Sequence, residues 1–398
     1  MKRKNAQYKK EVKKPGKVLK ENSLDYSSKV PNAKAGLPYA SLEISNFRCL
    51  KELHISDLGQ VNLIAGMNNV GKTAFLEAIF LNIGSTNPEL ALRIERWRGL
   101  GLLSETAGTL WKTLFWQFQD QVPIRIIAKN IKGQKRDLTI TLSPSPSGVF
   151  EEMSLKDGSE LLGSLGQDLI FNYVDETQEI HKARATPLFS KKGDIVRFQL
   201  RVEPPFKPSP FVGIFLLGWL QSSGPEEEVY RFSDLRIKKQ EGILEKALKN
   251  IEPRLEKLEI LSPKGVSMIH GHLSGYDEPV PLQLLGDGAR RVASILLAMG
   301  AARDGVLLVD EIENGIHYSV MKSLWEVIAE ASELFHTQVF ATTHSQDCIY
   351  AAHETFSSRE YYNFRLHRLD RLDGHVKAAT YNQESLGGAL SIPLEVRG

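Results

Sequence analysis

The sequence predicts an α/β fold, and three short apolar runs carry that prediction. Residues 61–65 (Val-Asn-Leu-Ile-Ala) stop at Gly66, residues 306–309 (Val-Leu-Leu-Val) stop at Asp310, and residues 338–341 stop just before His344. Each run is short for a helix and too apolar for a solvated loop. Each therefore reads as a buried strand of a parallel sheet that delivers a polar loop to one edge. Helical spacing at 73–83, 289–302 and 319–335 supplies the covering layers. In 73–83, Phe75, Leu76, Ile79 and Phe80 share one face.

The remaining elements follow in chain order. Residues 41–45 and 53–56 read as strands on either side of Asn46, Phe47 and Arg48. Residues 124–128 and 138–142 form a further pair joined through Gly133, and the Ser-Pro-Ser-Pro-Ser-Gly run at 143–148 has turn chemistry. From 149 to 210 no period is readable. The apolar run 211–220, bounded by Pro210 and Gln221, falls well short of the ~18 residues that cross a bilayer and reads as a buried element. Residues 241–258 read as a helix interrupted at Pro253, and 364–369 with 376–381 as a hairpin turning at Gly374. There is no repeat at a 20–50 residue period. These elements divide the chain into a tail at 1–39, a head built from 40–142 and 262–398, and an α+β lobe inserted at 143–261.

Composition limits the class. The chain has 398 residues, 42% hydrophobic and 25% charged, an ordinary globular balance. The charged N-terminus has no apolar segment behind it, so no secretory signal is expected. Cys49 and Cys348 make neither a disulfide framework nor a metal cluster, which suits reduced thiols and a cytoplasmic location. Residues 1–35 carry a net charge of +8 and the rest −6. So basic a tail, with so few apolar groups, is expected to be disordered alone. It is either merely solvated or an arm for nucleic acid or an acidic partner.

Chemistry enters with the loops. Gly66-Met67-Asn68-Asn69-Val70-Gly71-Lys72-Thr73 satisfies G-x-x-x-x-G-K-[ST], with a strand pattern before it and a helix pattern after. The glycines let the backbone wrap a phosphate chain, so that Asn68, Asn69 and Gly71 lie against it at a helix N-terminus. Lys72 is expected to reach the β- and γ-phosphates, and the Thr73 hydroxyl to ligate Mg²⁺. Asp310 is expected to hold the same Mg²⁺, and Glu311 to polarise the attacking water as general base. His344, at the end of the next strand, is placed to hydrogen-bond a γ-phosphate. ATP and Mg²⁺ are the cofactors this set implies.

In this order the motifs resemble the ABC-type ATPases. In that class a signature loop precedes the acidic pair, and here Leu285-Gly286-Asp287-Gly288-Ala289-Arg290-Arg291 occupies the place. It departs from the transporter form Leu-Ser-Gly-Gly-Gln, with Gly286 where the serine stands and Ala289 where the glutamine stands. Gly286, Asp287 and Gly288 at a helix N-terminus still offer N–H groups to a phosphate, and Arg290 or Arg291 can add a cation. The departure is closer to RecF-like and OLD-like ATPases. The finer resemblance is to OLD-like ATPase subunits of bacterial phage-defence systems (PARIS-like, Septu-like, abortive-infection). It rests on Leu42-Glu43-Ile44-Ser45-Asn46-Phe47-Arg48, on Pro281-Leu282-Gln283-Leu284-Leu285-Gly286-Asp287-Gly288, on Asp310-Glu311-Ile312-Glu313-Asn314-Gly315-Ile316-His317, and on Gln338-Val339-Phe340-Ala341-Thr342-Thr343-His344-Ser345.

This resemblance implies an ABC-type head that sandwiches ATP between two copies, as a homodimer or higher oligomer. Arg48 would lie near the nucleotide, and Glu313 to His317 at the dimer seam. The family's glutamine loop could be carried by Gln117, Gln119 or Gln121. Full-length OLD proteins carry a nuclease domain after the ATPase, and the short stretch after His344 offers no acidic nuclease set. The expected partner is therefore a separately encoded effector such as a nuclease, released by a phage-derived trigger. The rival reading is a RecF-like DNA-repair clamp that binds nucleic acid. A transporter motor is disfavoured by the signature and by the absence of any spanning segment, so no membrane partner is expected.

Overall fold

The computed structural model describes residues 36–99, 110–144, 167–189, 195–203, 208–218 and 224–391. The expected tail up to residue 35, and the 143–148 turn beyond Pro144, lie outside them. The described residues begin slightly before the expected position. Leu37 and Tyr39 are buried; Tyr39 donates its N–H to Gln338 Oε1 at 3.0 Å and its hydroxyl to Asn82 Oδ1 at 2.9 Å.

The fold is α/β. Strands β1 (Ser41–Phe47) and β2 (Leu50–Ile55) form the expected hairpin around Arg48. Strand β3 (Val61–Gly66) runs into the glycine loop, and helix α1 (Lys72–Ile83) leaves it. The sequence predicts one apolar face for α1, yet nearly the whole helix is buried, because it lies between two sheets. Helix α2 (Glu89–Trp97) and strands β4 (Ile124–Lys129) and β5 (Lys135–Pro144) follow. The unreadable stretch then holds three long strands, β6 (Gln167–Val174), β7 (Ile180–Phe189) and β8 (Ile195–Val202). They hide in the sequence because charged residues interrupt the alternation. Arg184 of β7 is neutralised only across the sheet, by buried Asp168 of β6 at 2.7 Å.

Strand β9 (Gly213–Leu216) comes from the 211–220 run. After helices α3 (Pro225–Ile237) and α4 (Gly242–Lys249) comes a departure from expectation: residues 255–258 are not helix but the start of strand β10 (Leu255–Leu261). Pro253 ends the helical pattern outright, as a residue without a backbone donor does. β10 pairs with β11 (Met268–Leu273), and β11 with β12 (Val280–Pro281). The chain continues as α5 (Asp287–Ala301), β13 (Val306–Val309), α6 (Met321–Phe335), β14 (Gln338–Thr342), α7 (Gln346–Ser357), β15 (Phe364–Leu372), β16 (His375–Tyr381) and α8 (Gln383–Ser391).

Two large sheets result. The antiparallel one has the order β2-β1-β4-β5-β6-β7-β8, and the central one β16-β15-β3-β14-β13-β9, parallel except for the β15–β16 hairpin. Segment 143–261 enters both, since β6–β8 extend the first and β9 edges the second; the expected boundary at 142/143 falls inside β5. Central-strand residues alternate between two cores. Leu63, Leu307 and Val339 pack with α5 and α6, whereas Ile64, Leu308 and Phe340 pack with α1 and the antiparallel sheet. Covered on both faces, β3, β13 and β14 run parallel and end at one edge.

Candidate functional site

Left-handed residues shape the glycine loop at that edge. Gly66 has φ 148°, Asn69 62° and Gly71 118°. A Cβ on Gly66 would stand 2.5 Å from the Leu369 carbonyl oxygen, and one on Gly71 2.9 Å from Cys49 Sγ, so close approach and torsion both demand glycine. Lys72 Nζ folds over the loop, donating to the Gly66 carbonyl at 2.7 Å and the Met67 carbonyl at 3.1 Å. Burial pulls the Lys72 pKa down, opposed by the charges of Asp310, Glu313 and Glu311.

β13 brings Asp310 against this loop. Thr73 Oγ1 donates to Asp310 Oδ2 at 2.9 Å, and Thr342 Oγ1, from β14, donates to Asp310 Oδ1 at 2.6 Å. The Glu311 N–H in turn donates to Thr342 Oγ1 at 2.8 Å, so one hydroxyl that sequence reasoning passed over ties both acids to the neighbouring strand. Glu311 has φ 48°, a strained conformation for a non-glycine residue. Its carboxylate accepts from Asn314 Nδ2 at 3.1 Å. Arg291, weighed above as a phosphate cation, is instead committed beneath the acids. It donates to the carbonyls of Asp310 at 2.8 Å, Glu311 at 3.2 Å and Leu217 at 3.3 Å. Arg290 faces Asp287 at 3.7 Å.

These groups open on a cleft of about 820 Å³ lined by Asn68, Asn69, Gly71, Lys72, Thr73, Asp310 and Glu311. Arg48 lines it too, held from behind by Glu77 at 3.1 Å and Glu95 at 2.9 Å. Burial raises the Glu95 pKa and the Arg48 guanidinium opposes it. Of the three candidate glutamines, Gln117 alone is on the cleft wall, next to Trp116 and Phe118. Gln117 and Phe118 both have positive φ, 50° and 60°, and Phe118 is 65% exposed. Arg371 and Gly374 close the opposite wall from the β15–β16 hairpin, and Arg371 Nη2 donates to the Asn69 carbonyl at 3.1 Å. No local motif announces Trp116, Phe118, Arg98 or Arg371, all of which line the cleft; the clustered aromatics 115, 116 and 118 were the one available signal.

The other expected residues reach the same edge without lining the cleft. His344 is exposed at the end of β14, its ring 3.2 Å from Glu313 Oε1. Gly286, Asp287 and Gly288 open α5 beside Gly315, whose carbonyl oxygen would be 3.5 Å from a Cβ on Gly288. Asp287 is largely exposed. Of the stretch expected at a dimer seam, Glu313 is turned inward, while His317 remains outside and accepts a turn-capping bond from the Ser319 N–H. Away from the cleft, Asp175, Glu179 and His181 gather at the β6–β7 turn, where Asp175 Oδ1 already accepts the N–H groups of Thr177 and Glu179.

Residues 40–141 match the family described as "AAA ATPase domain", and residues 171–347 the family described as "AAA domain, putative AbiEii toxin, Type IV TA system". The first stretch contains the glycine loop and the second the acidic pair and His344. The chain is an ATPase, and two separate stretches of it match models of AAA-type ATPase domains. It is similar over 372 residues, at 23% identity, to an "ATP/GTP phosphatase" of Helicobacter pylori, covering 87% of this chain and 96% of that one. It is also 29% identical over 126 residues to the DNA replication and repair protein RecF of Agathobacter rectalis, covering 31% of this chain and 30% of that one. Among solved structures, an Smc head bound to the C-winged helix domain of ScpA aligns over 89% of this chain and 99% of that one, with 12% identity and a TM-score of 0.47. No helix among the described residues is long and apolar enough to cross a membrane.

Proposed function

We propose that this ATPase binds Mg²⁺-ATP in the cleft and that its nucleotide state controls a separately encoded effector, a nuclease by resemblance, in a bacterial phage-defence system. The observation that carries the reading is the match of 171–347 to a toxin-associated ATPase family, a stretch that includes Asp310, Glu311 and His344. In this reading Asn68, Asn69, Gly71 and Lys72 hold the phosphates, and Arg48 adds a second cation. The hydroxyl of Thr73 and carboxylate of Asp310, already in contact, are the hard oxygen donors that suit Mg²⁺. When bound, the ion would neutralise charge on the phosphates. Glu311 would take a proton from the attacking water, and His344, exposed at the same sheet edge, would hydrogen-bond the γ-phosphate.

The reading needs a second copy, because Gly286, Asp287 and Gly288 stand apart from the cleft of their own chain. Gly288 has an ordinary φ and room for a Cβ, so Gly288→Arg is expected to fold normally but to lose ATP-stabilised association. Light scattering with ATP in a Glu311→Gln background measures this. Persisting dimers would remove the loop from the seam.

The defence role is tested by expressing the chain alone and with its genomic neighbour in cells challenged by phage. Co-purification of the two, with protection only when both are present, is the expected result. Full protection or toxicity from this chain alone, with no co-purifying protein, would end the proposal. The RecF-like stretch favours a second reading, a DNA-repair clamp. Binding to DNA that weakens steeply as salt rises, with no effector, would select it.

A further inference from the structure

Glu313 is a buried carboxylate that the reading above does not use. Its side chain is only 10% exposed, and Oε1 takes three contacts from a single loop. The Thr343 hydroxyl donates to it at 2.8 Å, the His344 backbone N–H at 2.9 Å, and His344 Nδ1 lies 3.2 Å away. The other oxygen, Oε2, is buried with no hydrogen-bond partner. Such an orphan costs free energy and persists only where the rest of the group is strongly held. From the far side the same loop is pinned by Ser345, whose hydroxyl accepts the Cys348 N–H at the start of α7. Thr343 is fully buried, so of the three loop residues it is His344 that is displayed outward. Glu313 also lies close enough to the phosphate loop for its charge to favour the charged form of Lys72.

We infer that Glu313 is the positioning residue of His344: it engages Nδ1, fixes the ring plane and the backbone beneath it, and leaves Nε2 as the nitrogen presented to the γ-phosphate. A carboxylate behind a working imidazole selects which nitrogen is free and holds the ring in register. The inference rests on the role proposed for His344 and adds the group through which that role is set. A packing residue would also hold the loop, but its loss would not be felt specifically through the imidazole.

The experiment is a double-mutant cycle in the full chain, with steady-state ATP hydrolysis and separate nucleotide titration. Glu313→Ala is expected to lower kcat about ten- to a hundredfold with nucleotide affinity changed less than about threefold, the range seen when a histidine loses its orienting partner. Glu313→Gln, which keeps an acceptor for the loop, is expected to recover most of that loss. In a His344→Ala background neither Glu313 variant should lower kcat further. Additive losses, or a fall in affinity that matches the fall in kcat, would overturn the inference. Wild-type turnover in His344→Ala alone would instead remove the role of His344, and the inference with it. Should Glu313→Ala fail to fold, Glu313→Asp, whose shorter side chain withdraws the carboxylate from His344 Nδ1, takes its place in the same cycle with the same deciding outcomes.

Discussion

Lys72→Ala is expected to weaken ATP binding by about a hundredfold or more while leaving the fold intact. In the structure the ammonium is folded onto the Gly66 and Met67 carbonyls, in a place where burial already disfavours its charge. Those bonds can be exchanged for phosphate oxygens without the lysine moving far, which makes the loop ready for an anion. Losing a charge-assisted hydrogen bond from a buried site costs roughly 3 kcal/mol, and every 1.4 kcal/mol is about tenfold in affinity. The loop itself is shaped by Gly66, Asn69 and Gly71, whose torsions do not depend on the lysine. A nucleotide titration measures the effect, and the melting temperature checks folding. Unchanged affinity would mean that the phosphates bind elsewhere.

What could be read from the sequence was what is local. The β3–loop–α1 unit, the acids after β13 and the histidine after β14 each combine a short apolar run with a polar stop, and no distant partner is needed to recognise them. What could not be read depends on chain brought together from afar. β7 looks irregular until Asp168 is placed across from Arg184. β10 follows helix-like spacing, and only Pro253 marks the break. Arg371 reaches the cleft because β15 runs parallel to β3, a pairing that nothing near residue 371 encodes. Thr342 carries no signal in the sequence, and Glu313 is expected only at a dimer seam. They acquire a task only because β13 and β14 are neighbours, which puts a hydroxyl between the two acids and a carboxylate under His344.

Glu311→Gln separates binding from chemistry, and its expected effect on turnover is the largest of any conservative change. The substitution keeps the shape of the side chain and an oxygen to accept from Asn314 Nδ2, and it leaves the backbone bond to Thr342 untouched. It also leaves Thr73 and Asp310 as they are, so the oxygens suited to Mg²⁺ remain in contact. Only the basic carboxylate is lost. General-base catalysis contributes about a hundredfold to ten-thousandfold in rate, so kcat should fall by at least about a hundredfold. Nucleotide affinity should change by no more than a few-fold, the pattern of an interaction made in the transition state alone. The backbone at Glu311, φ 48°, is held in that conformation by its bonds to Thr342 and Arg291, and a residue kept strained on a cleft wall fits a catalytic role. Single-turnover hydrolysis with ATP prebound measures the chemical step directly. A variant that hydrolyses prebound ATP at the wild-type rate would show that Glu311 is not the base, and that the proton leaves by another group on the cleft wall.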